Sequence, residues 1–131
     1  MRNFVFACLI VSIQVGSTAV PKLSFQREAV LIATLGTEPQ VVTAAVDLLA
    51  WQGERVGKVV VLHTQGDKAI EQAVETLRLE YTQSQFPLRM VAMRDEFGVP
   101  LQDVETPEAA QTAVRCLYAE VRDAKLRGER V

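Results

Sequence analysis

The chain has 131 residues, 49% of them hydrophobic and 23% charged, with a formal net charge of −2. That length supports one domain with a buried core. Only 6% of the residues are aromatic, so the interior is aliphatic, and the composition excludes a disordered or fibrous chain. The mild acidity supplies no overall field that would gather duplex nucleic acid, so a phosphate-bearing ligand would have to be held locally.

Residues 1–28 form a lead segment. Arg2 is followed by the apolar run Phe4 to Val11 and by small residues from Gly16 to Ala19, the outline of a secretory signal. Ser12 and Gln14 interrupt it, and it is short for a membrane span. Three readings stand: a signal peptide, an extra element packed on the domain, or upstream sequence from a misplaced start codon. The third ranks first, because the domain begins cleanly near Ala29.

Ala29 to Leu35 reads as a strand buried on both faces of a parallel sheet. It stops at Gly36, where the backbone can turn sharply. Thr37 stands at an N-cap position, with Gln40 three residues on at capping-box spacing and Pro39 in the first turn. Val42, Ala45, Val46 and Leu49 then recur on one helical face, and Gly53 suits an αL stop. Strand, turn and capped helix make the first half of a βαβ unit. Phosphates settle at such helix ends, where unpaired N–H groups and the helix dipole coincide. Thr37 and Gln40 could equally do nothing more than cap the helix.

Lys58 to Thr64 (KVVVLHT) is a second buried strand. Asp67 is placed to cap a second helix with Ile70, Ala73, Val74, Leu77 and Tyr81 on its inner face. Phe86 to Met93 reads as a third strand, and Arg94 to Glu105 as a polar loop long enough to touch a ligand. Thr106-Pro107 starts a third helix that should bury Ala110, Ala113, Val114, Leu117 and Val121. It runs into a charged tail, Arg122 to Arg130. The β-α-β-α-β-α order predicts an α/β fold, a three-layer Rossmann-like parallel sheet with helices on both faces. A fourth strand should follow the third helix, and the chain ends first, leaving the module incomplete and a sheet edge bare. The domain is therefore placed at residues 29–131.

Two cysteines far apart, Cys8 and Cys116, and one histidine leave no ligand set for structural zinc. No metal or cofactor is expected. Such sparse cysteine usage fits a reducing, cytoplasmic setting, the alternative being secretion if residues 1–20 are a real signal.

Three stretches together resemble a known family: VLIATLGTEPQVVTAA, KVVVLHT and LQDVETPE. Gly36-Thr37-x-Pro39-Gln40-Val41-x-Thr43 is the most specific part, joined by Val61 to Thr64 and Asp103 to Glu108. They are similar to the ring-nuclease branch of CRISPR-associated Rossmann-fold (CARF) proteins, over Ala29 to about Val121. The resemblance implies a homodimer that holds cyclic oligoadenylate, an RNA-like second messenger, across its two-fold axis at the carboxyl ends of the strands. It implies metal-independent cleavage of the ring, usually cyclic tetra-adenylate, by a ribose 2′-hydroxyl, which switches off type III CRISPR antiviral signalling.

On that resemblance Gly36, Thr37, Glu38, Pro39 and Gln40 contact the ligand, with Thr37 as the catalytic, positioning residue. Thr64 and Gly66 would line the crevice and Arg94 would neutralise a phosphate. His63, without a titratable partner at a defined spacing, reads as a strand-end histidine bonded to nearby backbone, and Trp51 as core or dimer contact. A Gly-Gly-Arg-Lys type turn that supplies a basic residue in the family has no counterpart before Val131, and Lys125 is no substitute for it. A sensor that binds without cutting is the alternative. An ordinary dinucleotide enzyme would need G-x-G-x-x-G after the first strand, which Gly36-Thr37-Glu38-Pro39 does not supply.

Overall fold

The computed structural model describes residues 28–84 and 86–131. The readings made for the lead segment therefore fall, up to residue 27, outside the described residues. The elements run β1 (Ala29–Thr34), α1 (Gln40–Trp51), β2 (Val56–His63), α2 (Lys68–Ser84), β3 (Leu88–Ala92) and α3 (Pro107–Leu126). The three strands form one parallel sheet in the order β1-β2-β3. The fold is the expected α/β class; β1 and β3 are trimmed by one or two residues at their ends relative to the hydrophobic runs, while β2 begins two residues earlier than expected, at Val56, and ends one residue sooner.

Period-two alternation divides the core into two halves. Leu31, Leu35, Val59 and Val61 face one way and pack on Val42 and Ala45 of α1 and on Ile70, Ala73, Val74, Leu77 and Tyr81 of α2. Val30, Ile32, Val60 and Leu62 face the other way, toward Ala113, Leu117, Val121 and Ala124 of α3. The valine run of β2 is thus sealed on both faces, and Val59, Val60, Val61 and Leu62 are all almost wholly buried.

The chain steps from β1 to β2 to β3 in one direction, then returns. Arg130 forms a single parallel bridge with Ala29, and the Val30 N–H donates to the Arg130 carbonyl at 2.7 Å, on the side of β1 away from β2. Right-handed crossovers keep α1 and α2 on one face, and the same hand in the reverse direction puts α3 on the other. The sheet edge expected to be bare is that of β1, covered over one residue pair only, while β1 from Leu31 onward has no neighbour on that side among the described residues.

Two expectations need correction. Val114 is 64% exposed, not buried. It lies on the rim of the stripe formed by Ala113, Leu117, Val121 and Ala124, rotated toward the exposed Tyr118. Trp51 ends α1 with 84% of its surface exposed, so it is not core. As expected, the charged tail continues the helix, here as far as Leu126, and the chain turns at Gly128 with φ +75°. Among the described residues no helix is long and apolar enough to cross a membrane.

Candidate functional site

Reversal of strand order on β1 makes its carboxyl end the switch point of the sheet, where ligands of open α/β folds sit. The segment there is Gly36 to Gln40. Leu35 keeps the ladder going, its N–H donating to the Leu62 carbonyl at 2.8 Å. The helix then starts differently from the capping-box reading. Pro39, already helical at φ −63° and ψ −26°, occupies the N-cap position, and no side chain caps the helix. The first turn closes tightly, through Val41 N–H to Glu38 O (3.2 Å) and Val42 N–H to Pro39 O (3.1 Å).

Because proline presets the first turn, Thr37 and Gln40 are not spent on capping, and both are exposed. Among the described residues the amides of Gly36, Thr37, Glu38 and Gln40 have no acceptor. Four unpaired donors in five residues stand at the positive end of a twelve-residue helix. Pro39 contributes the shape of the turn and no donor. Such an arrangement can hold an anionic oxygen and lower the energy of charge developing on it.

The neighbouring strand ends supply the rest of this face. His63 is buried, and its Nδ1–H donates to the Thr64 carbonyl at 2.9 Å, which is the backbone-bonded histidine expected from its context. Thr64 is itself buried at 8% exposure. Gly66 is exposed with φ +103°, and a Cβ there would meet Gln102 Cγ at 3.7 Å. Arg94 lies past the end of β3, where its Nη1 donates to the Gly98 carbonyl at 2.9 Å. One of its donors therefore braces its own loop. Gly36 to Gln40, Thr64 with Gly66, and Arg94 thus sit at the carboxyl ends of β1, β2 and β3 in turn.

Several carboxylates on this face are occupied by local backbone. Asp67 Oδ1 accepts from Ala69 N–H at 2.7 Å, capping α2 as expected. Asp95 Oδ1 accepts from Phe97 and Val99 N–H, both at 2.9 Å, and Asp103 Oδ1 from Glu105 N–H at 3.2 Å. Thr106 caps α3 through Ala109 N–H at 3.1 Å, with Pro107 in the first turn.

The sequence marks the loop after β3 as polar and long enough to touch a ligand, without specifying its shape. In the structure it is a compact clasp, whose signal in the sequence is Asp95 with Gly98 three residues on, an Asx-turn pairing. A separate cavity of about 470 Å³ lies between the carboxyl end of α2 and the start of β3, lined by Arg78, Tyr81, Thr82, Phe86, Leu88 and Met90 among others. It is at the opposite end of the sheet and includes none of the residues above.

No curated protein and no solved structure matches the chain. The family model described as CRISPR-associated protein NE0113 matches residues 38–131, from the second residue of the exposed Thr37–Gln40 turn to the last residue. With most of its length matched, the chain belongs to that CRISPR-associated family.

Proposed function

We propose that this protein binds cyclic oligoadenylate at the Gly36–Gln40 turn and linearises it, as a ring nuclease of the CARF type acting as a cytoplasmic homodimer. The observation that carries the reading is the set of amides at Gly36, Thr37, Glu38 and Gln40, which have no acceptor among the described residues and sit beside an uncommitted Thr37 hydroxyl. Membership of a CRISPR-associated family supports the same reading.

In the reaction a ribose 2′-oxygen attacks the adjacent phosphorus as its proton leaves. The bond to the 5′-oxygen breaks, and that oxygen takes up a proton. The products are a 2′,3′-cyclic phosphate and a free 5′-hydroxyl. Thr37 holds the ribose or phosphate so that the attack is in line. The amides of the turn stabilise the charge that develops on the phosphate oxygens. Gln40, exposed at the start of α1, reaches a ribose or a base edge.

The test is incubation of the purified chain with labelled cyclic tetra-adenylate in the presence of a chelator. Linear product ending in a cyclic phosphate supports the nuclease. Neither binding nor cleavage would remove this function altogether. Retention without turnover would instead establish a sensor, a reading favoured by one specific feature. His63 and Arg94, the titratable groups at the ends of β2 and β3, both have a ring or guanidinium nitrogen engaged by backbone carbonyls.

A further inference from the structure

The loop from Arg94 to Leu101 combines a stiff backbone with an apolar tip. Arg94 and Pro100 form an antiparallel bridge. Asp95 N–H donates to Val99 O at 2.9 Å, and Gly98 N–H to Asp95 O at 3.0 Å. The Asp95 carboxylate takes two further amides, and the Arg94 guanidinium takes the Gly98 carbonyl. Gly98 supplies the φ of +78° that closes the turn.

The base of the loop is tied to the sheet. Leu101 N–H donates to Met93 O at 2.9 Å, Gln65 N–H to Leu101 O at 2.8 Å, and the Cys116 thiol to Arg94 O at 3.4 Å. At the tip, Phe97 is 84% exposed and Val99 55% exposed. A loop this fully hydrogen-bonded has already lost its conformational freedom, so its ring can take up a contact at little further entropic cost.

We infer that Phe97 is a stacking platform for a nucleobase of the ligand held at the Gly36–Gln40 turn. The inference rests on the proposed function and names a ligand contact for it. The loop stands on the same carboxyl-end face as the turn, two strand spacings away across the sheet, or about 10 Å. A ligand of several nucleotides spans that distance. Its phosphate sits on the amides at β1, and one of its bases reaches the ring beyond β3. An aromatic face takes any base, so the platform adds affinity without demanding a hydrogen-bond pattern.

The experiment measures binding of fluorescently labelled cyclic tetra-adenylate, 2′-O-methylated to block cleavage, to the full chain and to Phe97→Ala, Phe97→Trp and Thr37→Ala. Melting curves and sedimentation accompany each variant. Phe97→Ala should bind about 5- to 150-fold more weakly, with unchanged melting, while Phe97→Trp stays near the parent. Parent-like binding by Phe97→Ala, with Thr37→Ala impaired, overturns the platform and leaves the proposed function standing. Weaker binding by Phe97→Ala accompanied by loss of a dimer also overturns it, because the ring then packs on a second copy. Absence of binding by the parent chain sinks the proposed function and the platform with it.

Discussion

Replacing Thr37 by Ala separates two roles that the residue type alone confounds. If Thr37 were the N-cap of α1, its removal would cost about 1 kcal/mol of stability, and the melting temperature of a domain this size would fall by several degrees. In the structure Pro39 holds the cap position and no side chain bonds the first turn. Thr37 is exposed, so the stability change should stay within about 0.5 kcal/mol. The functional cost is of another size. A hydroxyl donating to a charged phosphate oxygen contributes about 1.5–3 kcal/mol, which corresponds to roughly 10- to 150-fold in affinity or rate. The assay is paired: urea or thermal unfolding of both proteins, then binding and cleavage of cyclic tetra-adenylate under single-turnover conditions. Normal binding and cleavage by Thr37→Ala would refute the site assignment. A stability loss above 1 kcal/mol would show that the hydroxyl caps the helix after all.

The other predictions concern the scaffold and its titration. Leu77 is wholly buried between α2 and the sheet, so Leu77→Ala should lose about 2–5 kcal/mol in urea unfolding. Thr106→Ala removes the acceptor of the Ala109 amide and should cost about 1 kcal/mol by the same measurement. Among the described residues the buried Tyr81 hydroxyl makes no hydrogen bond of good geometry; burial, with Glu80 and Asp47 nearby, outweighs a weak interaction with the Thr43 side chain and raises its pKa above the ordinary 10.0. Above pH 10 the unfolded chain releases this proton while the folded one keeps it, so stability falls as pH rises from there. Tyr81→Phe should therefore match the parent at neutral pH and lose less stability on the alkaline side, as read by unfolding at pH 7 and pH 10.5. Trp51, the single tryptophan, ends an exposed apolar row with Val41 and Leu48 on α1. Its fluorescence should be strongly quenched by acrylamide in dilute protein, and protection that grows with protein concentration would mark association through α1.

What residue order determined by itself was local. Alternation and apolar runs specify the strands, the 3.6-residue period specifies the helices, and Asp67 and Thr106 mark helix starts, because each signal needs only near neighbours. The buried face of α2 follows from Ile70, Ala73, Val74, Leu77 and Tyr81 for the same reason. Tertiary structure decided what depends on partners distant in sequence. Val114 lies within the period of α3, yet the rotation of that helix on the sheet leaves it in solvent. Thr37 and Gln40 have capping-box spacing, yet Pro39 takes the cap position two residues further on, and neither side chain caps the helix. The bridge between Arg130 and Ala29 is likewise beyond local pattern, because it depends on the return of the chain across the sheet. Asp95 and Gly98 mark the turn of the clasp locally, but its ties to Gln65 and Cys116 join groups that no periodicity relates.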